Sequence, residues 1–410
     1  MSAFMPPPTI PVMTDDPYSD ENLRDPYPLF RRMRDAGPAV WLQKYQVLAF
    51  AGFEECKDIL DDYRTFISSA GVGPKNLHST PAWRPPGILE SDPPVHGPMR
   101  SAMTSVISPR GVRSLRAAFE VFADELVDAL IARETFDGVT DLAELFPIRV
   151  FGDAVGIPRE GREANLLPHG AMNFSAFGPD DERSKEFFKK GQGTHEWVMN
   201  NCARENLSSA GMGAKIWEFA DRGEISSDQA ALLVRAMLSA GLDTTVFSIG
   251  NTLQALATNP EQWAEVRSNP RLVKFAIDEA LRFESPFQSF FRTTGSDTIF
   301  RGIPLPTGTK VVLFIGSANR DGRRWGETAD QYVIDREAGG HLAFGMGIHQ
   351  CVGQPISRLE MDVLFTALAK RVRTIEPAGD AVPYLHNTLR GWRSLPLRIT
   401  PAAPSPVRPQ

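Results

Sequence analysis

Cysteine pairs are missing from this chain. Its 410 residues hold three cysteines, Cys56, Cys202 and Cys351, far apart and odd in number. That excludes a scaffold stapled by disulfides and makes a reducing cytoplasm the expected setting. No C-x-x-C spacing occurs, so a zinc site built from several cysteines is not expected. No charge of one sign dominates: 44 Lys plus Arg against 50 Asp plus Glu leave a formal net charge of -6. Such a balance gives no general pull toward nucleic acid or anionic lipid. No uninterrupted apolar run reaches about 18 residues, and the Pro-rich start has no basic flank before an apolar stretch. Neither a membrane span nor a signal peptide is therefore expected. Internal repeats are absent too, and no G-x-G-x-x-G follows a strand, so electrons for any redox chemistry must come from outside.

What is present is the composition of a globular protein, 42% hydrophobic and 23% charged, with enough apolar residues for a large core. The periodicity is mostly helical with small strand elements, and strands and helices do not alternate. Helices are expected over 26–36, 113–131, 194–220, 270–283 and from Cys351 to Arg371. Strands are expected over 39–50 and 311–314. The clearest helix starts at Ser226, where Gln229 completes a capping box, and runs almost to Pro260. Its middle, Ala240–Gly241–Leu242–Asp243–Thr244–Thr245, contains poor helix formers, and an Asp and a Thr inside a core helix are costly without partners or a task. A single domain is expected over 1–410, with loose ends at about 1–15 and 401–410.

The stretch Phe344–Gly345–Met346–Gly347–Ile348–His349–Gln350–Cys351–Val352–Gly353 places one cysteine among three glycines just before a helix. Glycines permit close approach of the backbone, and the helix start adds its positive end. A lone thiolate ligand to haem iron needs such a loop. Glu279 and Arg282, three apart, share one helix face. Cys56 and Cys202 lack comparable surroundings and read as structural. His78, His169, His195 and His386 show no metal-ligand spacing.

These residues resemble the cytochromes P450, whose haem signature F-G-x-G-x-H-x-C-x-G is met by Phe344, Gly345, Gly347, His349, Cys351 and Gly353. Four further features occur in that family's order: Asp92–Pro93–Pro94–Val95–His96 with Arg100, Ala240–Gly241–Leu242–Asp243–Thr244, Glu279–Ala280–Leu281–Arg282, and Arg336. The resemblance implies a mainly α fold with a small β portion and a long central helix over haem b, with Cys351 as the iron ligand. It implies that His96, Arg100, Arg292 and His349 meet the propionates. Asp243 and Thr244 would be the oxygen-activation pair, and Glu279, Arg282 and Arg336 a buried ion network. An iron–sulfur ferredoxin and its NAD(P)H-dependent reductase would supply electrons, docking near Arg358.

Trp83–Arg84–Pro85–Pro86, Phe174–Ser175–Ala176–Phe177–Gly178–Pro179 and Phe287–Gln288–Ser289–Phe290–Phe291–Arg292 are similar to a bacterial branch of the family that demethylates para-methoxybenzoates. Phe174, Phe177, Phe290, Leu89 and Ala240 would then line a cage for one aromatic ring. Two serine hydroxyls of that branch are replaced here by Gly87 and Ala236, and Phe287 adds bulk. These departures shift the expectation toward a neutral guaiacol-type methoxyphenol, giving a phenol and formaldehyde. The alternative is O-demethylation or hydroxylation of a para-substituted benzoate, with Arg84 and Arg235 compensating. A haem-thiolate sensor or carrier is the rival class.

Overall fold

The computed structural model describes residues 5–402; of the loose ends expected at about 1–15 and 401–410, residues 1–4 and 403–410 lie outside the described residues. The elements that frame the site are, in chain order, strands β1 (Val12–Met13), β2 (Val40–Leu42), β3 (Val47–Phe50), β4 (Phe66–Ile67), β5 (Ser289–Thr294) and β6 (Lys310–Phe314). The helices are α1 (Tyr27–Ala36), α2 (Pro109–Arg133), α3 (Leu145–Val155), α4 (Arg162–Ser175), α5 (His195–Asn200), α6 (Met212–Asp221), α7 (Ser227–Ala240), α8 (Asp243–Thr258), α9 (Val273–Glu284) and α10 (Gln354–Arg371). The architecture is mainly helical with a small β portion, as the periodicity implies.

The largest sheet has the order β1-β2-β3-β6-β5-β4. β3 runs parallel to β6 with Ala49 opposite Val312, and β5 antiparallel to β6 with Phe290 opposite Leu313. The N-terminal arm is firmer than expected: Val12 and Met13 pair with Trp41 and Leu42. α1 forms because Leu29, Phe30 and Met33 fall on one face and are buried, the stripe an amphipathic helix needs.

The main core joins α2, α3, α7, α8, α9 and α10. At its centre α7 and α8 form an almost continuous run, Ser227–Thr258. By length and composition it is apolar enough to cross a membrane, but 72% of its apolar window is buried inside the protein. Ser226 caps it as expected: its Oγ accepts from the Gln229 N–H at 3.1 Å, and Gln229 Oε1 accepts from the Ser226 N–H at 2.8 Å.

The helix expected over 194–220 is two helices, α5 and α6, separated by turns. Tertiary contacts override the periodicity there. The Ser208 N–H donates to the Gly156 carbonyl at 2.8 Å, and a Cβ on Gly211 would lie 2.4 Å from the Val155 carbonyl oxygen. The end of α3 thus pins the intervening chain.

Candidate active site

The cysteine loop is held by its own backbone. The Cys351 N–H donates to the Phe344 carbonyl at 2.8 Å. Gly345 and Gly347 have φ of 68° and 70°, a region that L side chains rarely occupy. At Gly347 a Cβ would also strike the Leu60 carbonyl oxygen at 2.7 Å. Burial pushes the Cys351 thiol up, while the Gly353 N–H, the Arg100 charge and the Gln354 N–H pull it down. Those amides open α10, so the helix start is aimed at the sulfur. Cys202 and Cys56 have buried, less helpful settings: burial pushes Cys202 up to about 12 and Cys56 well above its usual value.

His96, Arg100, Arg292 and His349 gather beside this loop. The two imidazoles lie 4.5 Å apart by ring centroids, and both Nε2 atoms are buried without a hydrogen-bond partner. His349 Nε2 is 3.8 Å from Asp92, too long for a hydrogen bond. Burial pushes His96 down to about 4 and Arg292 down to about 10. Arg100 donates to the Gln350 carbonyl at 2.6 Å, and Arg292 to the Phe291 carbonyl at 2.9 Å. Two imidazoles with unpartnered ring nitrogens and two guanidiniums facing no paired carboxylate suit the two propionates of haem, and one buried thiol with amides pointed at it suits its iron. The residues fit haem b.

The central helix breaks at Gly241–Leu242. A Cβ on Gly241 would meet Phe151 Cζ at 2.6 Å and the Met237 carbonyl oxygen at 2.7 Å, so close packing by α3 demands glycine there. The Thr244 hydroxyl donates to the Ala240 carbonyl at 2.9 Å, and Thr245 does the same to Gly241 at 3.1 Å, side chains diverting backbone acceptors. Ala236, Ala240 and Thr244, four apart, form an accessible stripe within this otherwise largely buried segment. Asp243 points the other way. Its Oδ2 is buried and unpartnered, and it sits on α4, where a Cβ on Gly170 would lie 1.5 Å from it. Burial holds the Asp243 carboxyl far above the usual range, and Glu144 raises it further.

Glu279, Arg282 and Arg336 form one buried network. Arg282 meets Glu279 through two contacts of 2.7 Å, with both side chains fully buried, and Arg336 Nε reaches Glu279 at 3.1 Å. The remaining guanidinium donors bind the Asn319, Ala329, Gln331, Trp325 and Thr328 carbonyls, so no charge is stranded.

Phe174, Phe177, Phe287 and Leu389 share one apolar cluster, with Leu89 and Phe290 against it. Phe287 packs 5.4 Å from Phe174 and stacks 4.0 Å from Phe290. Beside this cluster Arg84, 6.0 Å from the Phe177 ring centroid, is occupied. It donates to Glu90 at 2.8 Å, to Asn173 Oδ1 at 3.0 Å and to the Pro85 carbonyl at 3.2 Å. Arg235 is not: it is buried, it donates through one nitrogen to the Pro85 carbonyl at 3.2 Å, and its other terminal nitrogen has no partner. A Cβ on Gly87 would lie 3.4 Å from the Arg235 guanidinium. His169 and His195, which the sequence offered no reason to group with the site, stack 5.6 Å apart in the same region. By contrast His386 is structural, bonded to Ala171 and to the Thr388 and Leu389 amides.

Comparison with known proteins agrees with this geometry. The family model described as cytochrome P450 matches residues 177–399. The chain is 45% identical over 395 residues to cytochrome P450 CYP199A2 of Rhodopseudomonas palustris, covering 96% of this chain and 95% of that one. It is 30% identical over 403 residues to the cytochrome P450 monooxygenase PikC of Streptomyces venezuelae, covering 95% and 94%. The structure of cytochrome P450 CYP109Q5 from Chondromyces apiculatus superposes with a TM-score of 0.79 at 30% identity, covering 95% of this chain and 99% of that one. The chain belongs to the cytochrome P450 family and is a haem-thiolate monooxygenase of the bacterial type.

Proposed function

We propose that the enzyme removes the methyl group from a small para-methoxybenzoate-type acid, giving the para-hydroxy acid and formaldehyde. Arg235 carries this reading. Its buried guanidinium has the Glu90 carboxylate nearby but keeps one nitrogen without a partner, which is costly unless a further acceptor completes it. The neutral methoxyphenol expected from Gly87 and Ala236 gives way on this point. At Gly87 the missing side chain leaves room beside the Arg235 guanidinium. The extensive identity to CYP199A2 also supports the branch whose stretches around Arg84, Phe174 and Phe290 this chain resembles.

Haem held through Cys351 would activate dioxygen, with His96, Arg100, Arg292 and His349 binding its propionates. The protein does the rest. Phe174, Phe177, Phe287 and Phe290 clamp the ring, and the acid end fixes its direction, so the methyl group is presented beside the Ala236–Ala240–Thr244 stripe. Asp243, kept protonated by burial, stores a proton on the α4 side of the helix, while the Thr244 hydroxyl, on the accessible stripe, would hold dioxygen or a water. The balance is methoxyarene, O2, two electrons and two protons to phenol, formaldehyde and water. A ferredoxin and its NAD(P)H-dependent reductase would supply the electrons. A surface groove beside α10 is lined by Arg113, Arg116, Lys274 and Arg358; Asp362 and Asp278 pair with Arg116 and Arg358 there, and the excess positive charge of Arg113 and Lys274 suits an acidic partner.

The test is a spin-state titration with 4-methoxybenzoate, guaiacol and 4-alkylguaiacols, followed by NADH-coupled turnover with formaldehyde assay. The acid should bind more tightly and release one formaldehyde per NADH. Tighter binding and better coupling with guaiacol would reverse the assignment.

A further inference from the structure

The acid end holds more unsatisfied nitrogen than one carboxylate held by Arg235 alone would use. His169 on α4 is buried, and its Nε2 has no partner. Its Nδ1 faces the Thr194 hydroxyl at 3.5 Å, but that hydroxyl gives its hydrogen to the Gly191 carbonyl at 2.6 Å. Thr194 therefore offers His169 a lone pair, which draws the ring hydrogen to Nδ1 and leaves Nε2 bare. A bare ring nitrogen repels a carboxylate; the two attract once a single proton lies between them.

We infer that His169 forms, with Arg235, the head-group subsite for the acid, and that the substrate enters with one extra proton shared between its carboxylate and His169 Nε2. This rests on the acid reading above. The subsite adjoins the cage through Arg84, whose guanidinium lies 6.0 Å from the Phe177 ring centroid. Asn173 binds Arg84 on one side and the His169 carbonyl on the other. The groups facing His169 come from every neighbouring element. They are His195, which stacks on it and has a buried, unpartnered Nδ1; Arg235 on α7; and Arg84 with its partner Glu90. Trp83 closes the far side, 5.9 Å from His195. Among the described residues no three His, Cys, Asp or Glu side chains converge as metal ligands, so an organic acid, not a metal ion, is the occupant assigned. Burial, with His195, Arg235 and Arg84 nearby, pushes free His169 down to about 3, so at neutral pH the proton must arrive with the ligand.

Calorimetric titration of the haem-loaded enzyme with 4-methoxybenzoate, in phosphate and in Tris, counts protons directly. One proton taken up is expected. Kd should rise about tenfold per pH unit once the shared proton must be drawn from increasingly basic solvent. His169→Leu should lose the uptake and weaken the acid at least about tenfold, with 4-methoxybenzamide unchanged; His169→Gln should restore part of the affinity without the pH dependence. Binding without proton uptake, or equal weakening of acid and amide in His169→Leu, overturns the inference. Arg235→Met separates the two levels. If it weakens the acid while the wild type takes up no proton, the acid reading stands and the histidine role falls. If it leaves the acid unaffected, the acid reading itself falls.

Discussion

At the residue scale the central helix contains two different devices in adjacent positions. Thr244 lies on the accessible stripe and Asp243 is sealed against α4. Thr244→Ala should keep haem and substrate binding but divert electrons into peroxide, read as hydrogen peroxide formed per NADH; unchanged coupling would remove the hydroxyl from the mechanism. Asp243 carries a pH signature of its own. Its folded-state carboxyl titrates far above its unfolded value, because burial disfavours the charge. The native state therefore binds a proton that the unfolded chain releases above about pH 4. Stability from this group is complete below that pH and declines as pH rises toward the folded value. Relative to Asp243→Asn, the wild type should lose up to about 1.4 kcal/mol per pH unit as pH rises above about 4 toward the folded value. Parallel melting curves at several pH values would show it, and a constant difference would mean the carboxyl is ionised in the fold.

At the scale of elements, the break between α7 and α8 follows from packing as well as composition. Gly241→Ala puts a methyl into the ring of Phe151 and should destabilise by about 1–3 kcal/mol; Phe151→Leu in the same chain should recover part of that loss. If the pair is merely additive, the contact does not set the break. How far such features were legible varies with their cause. The capping box at Ser226, the cysteine loop and the Glu279–Arg282 pair are local patterns and could be read directly. The unwinding of 194–220 was not legible, because Gly156 and Gly211 impose it from outside the segment. Arg235 was legible only as a guess at compensation, and His169 not at all. A histidine on a helix has no sequence sign of whether its ring nitrogens find partners, and in His386 they do.

At the scale of the whole molecule, the ion network ties α9 to the Gln331–Arg336 stretch that leads into the cysteine loop. Glu279→Gln leaves Arg282 and Arg336 buried without their counter-charge, a loss of about 3–5 kcal/mol. The expected outcome is protein that fails to retain haem, seen as a low Soret-to-280 nm absorbance ratio, not an intact but slow enzyme. Full haem content with normal melting would show the network to be dispensable. Helix α4 spans the molecule in another sense. It carries Phe174 of the cage, with Phe177 in the turn just after it, and Gly170 on the same helix is the floor on which Asp243 rests. Whatever shift of α4 lets a ring in or out also moves that floor. Bulk added at Gly170 would therefore press on the buried carboxyl and, one turn on, disturb Phe174 of the cage as well.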